Sequence, residues 1–158
     1  MANTQSMCTS FMGELMTATH NFGTAPTRAT SAADTFKGAL YLASATINAS
    51  TTAYSTTGEV TGTGYSAGGV TVTNANPPTA TNASATAGVA YWTPSASLTY
   101  TSVTLTTAFD AVLIYNSSQS NKAVSVHTFG SQTITAGTFT LTMPANTTTT
   151  ALLRLATT

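Results

Sequence analysis

The chain has very few charged residues: four of its 158 residues are Lys or Arg and four are Asp or Glu. Soluble proteins usually have about 25% charged residues, whereas this chain has 5%. Enzymes that transfer protons or phosphates, or use metals, need clusters of ionisable side chains. The sequence therefore predicts a protein that is not an enzyme and has no cofactor or metal, and whose function depends on its shape and surface.

The chain also lacks an excess of either charge sign, since its formal net charge is zero and its pI is near 6.7. Without a basic stripe, nucleic-acid binding is not expected. A surface with so few charges dissolves poorly as a free monomer, which favours a homo-oligomer or a lattice-bound protein. The alternative is a secreted monomer that hydroxyl groups keep soluble.

A targeting segment, a long apolar run and a second cysteine are missing as well. Residues 1–24 have no basic start and no continuous apolar stretch, so we expect no signal peptide. No apolar run reaches the length of a membrane span. Cys8 has no partner for an internal disulfide, and synthesis and assembly in a cytoplasm fit that. We interpret Cys8 as a small buried apolar residue rather than a nucleophile.

One amphipathic helix is predicted over residues 5–22, ending at Asn21–Gly23, with His20 favourably placed against its dipole. Apolar residues with helical spacing form its stripe, and a methionine-rich stripe adapts to irregular partners. It could pack on the chain's own sheet or dock on another subunit. The candidate interface residues are Met7, Phe11, Met12, Leu15 and Met16. We divide the chain into residues 1–33, a helix and a connector with Pro26 and Arg28, and residues 34–158, a β-domain.

From Asp34 onward the apolar pattern has the period of two that is typical of β-strands. Residues 44–69 are predicted to be mostly loop, and residues 74–88 a surface excursion. Within the predicted strand at residues 97–106, Leu98 and Tyr100 would face one side, and Val103 and Leu105 the other. The strands are expected at 36–42, 70–73, 90–93, 97–106, 111–115, 122–129, 137–143 and 151–156, with turns such as Gly130 to Gly137 between them.

About eight short strands at regular spacing predict a mainly β fold, an antiparallel β-sandwich of Ig-like or jelly-roll type, with one N-terminal α-helix. Threonine supplies 38 of the 158 residues and explains both the strand content and the solubility. It is β-branched, and its hydroxyl is polar without charge. Because strand edges are normally protected by charges, these edges would be open to neighbouring chains.

Few constellations in the sequence could carry chemistry. A hydrolytic triad from His127, Asp110 and one of the serines is conceivable, but many serines make such a coincidence easy. No metal-ligand spacing occurs, although backbone carbonyls of residues 44–69 could hold a cation. An aromatic sugar-binding platform is a further alternative, against the commoner duty of anchoring core and loops. Its candidates are Tyr41, Tyr54, Tyr65, Tyr91, Trp92, Tyr100 and Tyr115.

Several segments read together resemble small Thr/Ser-rich structural proteins of tailed-bacteriophage virions. The resemblance covers about residues 34–156. It is carried by Asp34–Leu42 (DTFKGALYL), residues 53–69 (AYSTTGEVTGTGYSAGG), residues 109–116 (FDAVLIYN), residues 121–130 (NKAVSVHTFG) and residues 137–144 (GTFTLTMP).

The resemblance implies a virion structural protein, assembled in the host cytoplasm, with no catalytic residues to transfer. The leading prediction is a head decoration or cement protein that binds the outer face of the major capsid protein lattice, and copies of itself, without nucleic acid or membrane. Many modest contacts would then stabilise the head. One alternative is a tail, baseplate or fibre-adaptor protein. Another, from a different class, is a glycan-binding module for host attachment.

Overall fold

The computed structural model describes residues 3–16, 19–22, 33–74, 76, 78–81 and 88–156, and only the backbone at residues 9, 12, 13 and 16. These ranges contain eight strands and one helix. In chain order they are β1 (Ser6–Met7), α1 (Thr9–Met16), β2 (Phe36–Leu42), β3 (Val70–Thr71), β4 (Thr79–Ala80), β5 (Val89–Trp92), β6 (Leu98–Asn116), β7 (Lys122–Leu141) and β8 (Leu153–Ala156).

The protein is mainly β, and the described strands pair antiparallel in two sheets, as the period-two pattern predicts. The larger sheet has the order β1-β7-β6-β2-β3 and the smaller one the order β4-β5-β8. Strand β6 lies between β7 and β2, and Val112, Leu113 and Ile114 at its end are at most 1% exposed. A strand that is apolar on both faces therefore occupies the centre of the sheet, as expected.

Strands β6 and β7 are much longer than predicted. The prediction of four separate strands with a turn at Gly130 to Gly137 is wrong, because the chain runs as one hairpin from Leu98 to Leu141. The hairpin bends without ending: its register shifts at several points, and Ser102 and Ala136 adopt positive φ angles of 53° and 46°. Such bulges absorb an extra residue and turn the strand, so glycines here mark bends instead of strand ends.

The bends fold the first half of β6 back over β2. Tyr100 donates its hydroxyl hydrogen to the carbonyl oxygen of Gly38 at 2.8 Å. The amide of Thr104 donates to Thr63, in the segment that follows a bridge between Glu59 and Tyr41 of β2. Strands that bend from one layer into the next in this way give a sandwich-like arrangement.

The bulge at Ser102 also corrects a predicted face. Leu98 and Tyr100 were expected opposite Val103 and Leu105, yet all four side chains are at most 2% exposed. Because a bulge inserts one residue into the alternation, it brings both pairs to the same buried side. A sequence that alternates strictly on both sides of residue 102 does not reveal this change of phase.

The N-terminal helix over residues 5–22 is not borne out. Ser6–Met7 form a strand that pairs with β7. Of the residues described in this segment, Thr9–Met16 are helical, and residues 19–22 lie in no helix. The physical reason is weak helix signals: no acidic residue lies in the first turn and no basic residue in the last, and the threonines of the segment are β-branched. His20 therefore does not lie at a helix end.

The loop segments follow the prediction in part. Residues 44–69 have no strand longer than isolated bridges. Of residues 74–88, those described include strand β4, which the sequence analysis did not predict. The division of the chain at residues 33 and 34 stays a prediction, since the connector with Pro26 and Arg28 lies outside the described residues.

Candidate functional site

An apolar groove lies between the N-terminal segment and the smaller sheet. Its solvent-accessible volume is about 90 Å³. Residues of β1, α1, β5 and β8 form its walls. The lining residues are Met7, Phe11, Leu15, Phe22, Pro78, Ala90, Tyr91, Trp92, Leu153 and Leu155. The groove is therefore a surface that an apolar side chain of a partner can fill.

Leu153 and Leu155 are two residues apart in β8, so both lie on the strand face that lines the groove, and Leu155 lies nearer the solvent. Leu153, paired with Trp92, is 8% exposed, and Leu155, paired with Ala90, is 43% exposed. Leu155 is the one large hydrophobic side chain in the exposed class among the described residues. The exposed leucine continues the apolar lining of the groove at the protein surface.

Three of the five predicted interface residues come together in this groove. Met7 contributes from β1, and Phe11 and Leu15 from α1. The side chains of Met12 and Met16 lie outside what the structure describes. A strand followed by a short helix thus brings Met7, Phe11 and Leu15 to one surface, although the predicted mechanism, a single long helix, is wrong.

Aromatic contacts make the floor of the groove rigid. The ring of Phe22 lies 4.3 Å from that of Phe36 and 4.7 Å from that of Trp92, centre to centre. The indole nitrogen of Trp92 donates to the side-chain oxygen of Asn74 at 2.9 Å and to the carbonyl of Asn76 at 3.0 Å. With its polar atom bonded on the far side, Trp92 presents an apolar face to the groove.

A polar cluster beside the groove fastens the N-terminal segment, and sequence reasoning missed it. Glu14 accepts from Lys122 at 2.6 Å and from Nε2 of His20 at 2.7 Å. Asn116 donates to Asp34 at 2.8 Å and lies 3.0 Å from Nδ1 of His20. Because the Asn116 amide group is a donor, Nδ1 accepts and the neutral ring carries its hydrogen on Nε2. The partners are 96 and 108 residues apart, so no sequence spacing announces them.

The electrostatics of this cluster keep His20 neutral and Glu14 charged. Burial lowers the pKa of His20, although the hydrogen bond that its ring donates to Glu14 acts in the opposite direction. Burial alone would raise the pKa of Glu14, but hydrogen bonds from Lys122 and His20 outweigh it and lower that pKa. The cluster therefore holds the N-terminal segment against the two sheets through hydrogen bonds to a charged carboxylate.

The structure does not assemble the conceived hydrolytic triad. His127 contacts Ser125, with Nε2 and the hydroxyl 2.8 Å apart, in a cleft that also includes residues of β1 and β8. Asp110 instead accepts from the side chain of Asn3 at 2.6 Å. Ser125 is 1% exposed, and burial lowers the pKa of His127 to about 4. A buried hydroxyl beside a weakly basic imidazole is poorly placed to attack a substrate.

The tyrosines secure the long loop of residues 44–69. Glu59, 5% exposed, accepts from the hydroxyls of Tyr54 and Tyr65 at 2.6 and 2.7 Å and from the amide of Gly68 at 2.7 Å. Burial and the Glu59 carboxylate raise the pKa of both tyrosines. The aromatic residues considered for sugar stacking are all at least partly buried. The hydroxyls of Tyr41, Tyr54, Tyr65 and Tyr115 form hydrogen bonds with residues of the loop, so these rings anchor it.

Cys8 is completely buried, as predicted for a small apolar residue. Burial raises the pKa of its thiol to about 11, and the charge of Glu14 acts in the same direction. Since the thiolate is the reactive form, Cys8 is inert while the N-terminal segment is seated.

Within the ranges that the structure describes, no group of three or more His, Cys, Asp and Glu side chains could hold a metal ion. No helix there is long and apolar enough to cross a membrane. Of the seven charged residues described, only Arg154 is in the exposed class. No protein family, no curated protein and no solved structure matches this chain.

Proposed function

We propose that this chain is a structural protein of a tailed-bacteriophage virion, a capsid decoration or cement protein on the outer face of the major capsid protein lattice. The observation that carries the proposal is the apolar groove with Leu155 at its rim. Its ready-made apolar surface suits attachment to another protein. The resemblance of residues 34–156 to small Thr/Ser-rich virion proteins supplies the setting.

Docking through the groove would be weak at each site and strong over a lattice. Burying one large apolar side chain stabilises by about 1.5–3 kcal/mol. Copies that bridge neighbouring capsid subunits make many such contacts, and multivalency multiplies their effect. The mechanism is to raise the work needed to burst a DNA-filled shell.

The nearly chargeless surface supports partners that bind by apolar contacts and hydrogen bonds. Of the seven charged residues described, two are buried, four are partly buried and one, Arg154, is exposed. We therefore propose the major capsid protein and copies of this chain as partners, without nucleic acid or membrane, and assembly in the host cytoplasm followed by residence in the virion. The Ig-like or jelly-roll assignment belongs to the same proposal; the antiparallel sheets support a sandwich without choosing between the two.

The alternatives use the same surface differently. A tail, baseplate or fibre-adaptor protein would join other tail parts through the groove. A glycan-binding module would present rings to a sugar, and Tyr91 in the groove wall is the partly buried ring best placed for that. Binding of the isolated protein on a glycan array would favour this module over both structural alternatives.

Copy number in purified virions tests the placement. Hundreds of copies per particle, counted by mass spectrometry, would support head decoration. A few to a few dozen would support the tail alternative. Complete absence from virions would overturn the proposal that this is a virion protein.

A pair of surface variants tests the groove. Leu155→Asp places a charge at the rim and should lower the occupancy of the chain on particles at least tenfold, because a charge is buried only at high free-energy cost. Thr133→Asp adds the same charge at an exposed position of β7 and should leave occupancy unchanged. Equal occupancy of both variants would show that another surface docks.

A turnover screen across ester and glycoside substrates tests the prediction that the chain is not an enzyme. We expect no activity above the blank. Activity that disappears in His127→Ala would refute this part of the proposal.

A further inference from the structure

The N-terminal segment is a separate piece that fills a cleft in the remainder of the protein. We call residues 3–16 and 19–22 the arm, and the described residues from 34 to 156 the body. The arm adds β1 to the edge of β7 and places Cys8, Phe11 and Phe22, each at most 8% exposed, in the hydrophobic core. Without the arm, the body would have an open apolar cleft.

Charged residues concentrate at the boundary between arm and body. The side chain of Glu14 accepts from Lys122 at 2.6 Å, Asn3 donates to Asp110 at 2.6 Å, and the amide of Asn21 donates to Asp34 at 2.8 Å. Four of the eight charged residues in the chain therefore make contacts across this one boundary.

This boundary has the anatomy of an interface between chains. Its centre is apolar, with Phe11 and Phe22, and directional polar contacts surround it. Protein–protein interfaces combine an apolar centre with a polar rim in the same way. The cleft is thus a binding surface whose fitting ligand, the arm, is known in structural detail.

The covalent link between arm and body is long enough to reach a neighbour. Asn21 and Asp34 lie side by side, with the Asp34 amide donating to the Asn21 carbonyl at 3.2 Å, while twelve residues separate them in sequence. Phe22 belongs to the arm, and the link from Phe22 to Asp34 spans up to about 40 Å when extended. An arm can therefore enter the cleft of an adjacent copy without any change in its contacts.

We propose that associated copies of this chain exchange arms, so that the arm of one copy occupies the cleft of another. The contacts are identical within and between copies, so the free-energy difference between the two arrangements is small and depends on the connector and the local concentration. The inference rests on the proposed function to the extent that a lattice supplies neighbouring copies. It names the partner of the arm: the body of a second copy.

Disulfide trapping between different chains tests the exchange. Met7 and Ser125 are direct partners across β1 and β7, and paired antiparallel residues lie within the Cα separation that a disulfide needs. Two chains are co-expressed with distinguishable tags and both carry Cys8→Ser; one has Met7→Cys and the other Ser125→Cys. The purified mixture is oxidised with oxidised glutathione at high protein concentration.

Arm exchange should give a covalent heterodimer that neither variant forms alone. Ser125 is 1% exposed, so while an arm is seated a thiol there is shielded from partners other than the paired arm residue. A mixture with Gly130→Cys in place of Ser125→Cys is the control for random oxidation, since Gly130 is exposed and pairs with no arm residue in β1. Equal cross-linking in this control would overturn the inference.

Variants with both cysteines in one chain show whether the arm occupies the cleft of its own chain. If Met7→Cys/Ser125→Cys closes within monomers while the mixture gives no heterodimer, arms do not exchange and the inference is wrong. The neighbouring pair, Ser6→Cys with Val126→Cys, repeats the test in case one substitution disturbs folding. Absence of heterodimer from both pairs counts against exchange.

This result is independent of the virion test. Heterodimers formed by a chain that is absent from virions would leave arm exchange standing and overturn the proposed function. Hundreds of copies per virion without any heterodimer would do the reverse.

Discussion

Glu59 is the residue on which the geometry of the long loop depends. Its carboxylate is 5% exposed and receives three hydrogen bonds, from Tyr54, Tyr65 and the amide of Gly68. Hydrogen bonds to a charged acceptor contribute about 1.5–3 kcal/mol each to stability, roughly twice the value for neutral pairs. One carboxylate thus ties together parts of the loop that are nine residues apart in sequence.

We predict that Glu59→Gln lowers the free energy of unfolding by about 1–3 kcal/mol, because the amide group would face groups that also donate, leaving one donor without an acceptor. Urea denaturation measures this. Tyr54→Phe, which removes a single donor, should cost about 1 kcal/mol. Unchanged stability in Glu59→Gln would mean that the network does not hold the loop.

His127 makes the free energy of unfolding depend on pH in the acid range. Burial lowers its pKa in the folded state to about 4, below the ordinary value of 6.5. As the pH falls below 6.5, the unfolded chain takes up a proton that the folded protein does not, so acid favours unfolding. The effect is absent at pH 7, grows down to about pH 4, and reaches at most about 3 kcal/mol.

We predict that His127→Gln flattens this dependence. Urea denaturation at pH 7 and pH 4.5 should show a larger loss of stability for the native sequence than for the variant. His20→Gln is a useful comparison, because burial also lowers the pKa of His20 and its removal should reduce the same slope. Parallel pH profiles for the native protein and His127→Gln would contradict the assignment.

The bulges in β6 and β7 bend the hairpin, so that its two strands belong to both layers. Ala136 has a φ of 46°, in the left-handed region that costs a non-glycine residue about 1–2 kcal/mol. Its amide donates to the hydroxyl of Thr104 on β6 at 3.0 Å, which fixes the bend.

We predict that Ala136→Gly stabilises the protein by about 0.5–1 kcal/mol, since relief of backbone strain exceeds the entropy that glycine loses on folding. Thr135→Gly, next to it without a positive φ, should destabilise by about 0.5–1 kcal/mol. Thermal denaturation of both variants measures the difference. Destabilisation of equal size in both would show that the bend does not need the left-handed conformation.

At the level of elements, the sequence predicted strands well and their junctions poorly. Strand β2 has the predicted bounds, and the apolar run at Val112–Ile114 is central as expected. The junction at Ala108–Asp110 has no Gly, Pro or Asn to end a strand, so β6 continues through it. Bulges that depend on partner strands leave no mark in local alternation.

The sequence predicted some of the residues that line the candidate site, but not the strands that form its opposite wall. The spacing of Met7, Phe11 and Leu15 predicted that they share one face, and they do line one groove, because both a helix and a strand–helix unit can bring them together. Their role as an interface stays a prediction. The opposite wall, with Trp92 and Leu155, comes from strands more than 70 residues further along the chain. Contacts over such separations follow from topology, which a single sequence does not encode locally.

At the scale of the whole molecule, the small number of charges bears on the association that we propose. The chain has eight charged residues, two of the seven described are buried, and the net charge is zero. Association driven by apolar burial and hydrogen bonds is insensitive to salt screening, in contrast to association driven by charge.

We predict that the association constant of the purified protein changes less than about threefold between 50 and 500 mM NaCl, because there is little charge to screen. Ammonium sulfate should strengthen association, since excluded salts favour apolar burial. Sedimentation equilibrium measures both. A tenfold change with NaCl would indicate that charges, such as those that fasten the arm, take part in association.

The hairpin of β6 and β7 also implies an order of events during folding. Its tip at residues 117–121 joins Asn116 and Lys122, which pair directly. Leu98 and Leu141 pair at the opposite end of the hairpin and are the partners furthest apart in sequence. Pairing that starts next to a tight turn loses little loop-closure entropy. We therefore expect pairing of β6 and β7 to start at this tip and to proceed away from it. The central sheet would then form before the first half of β6 folds over β2.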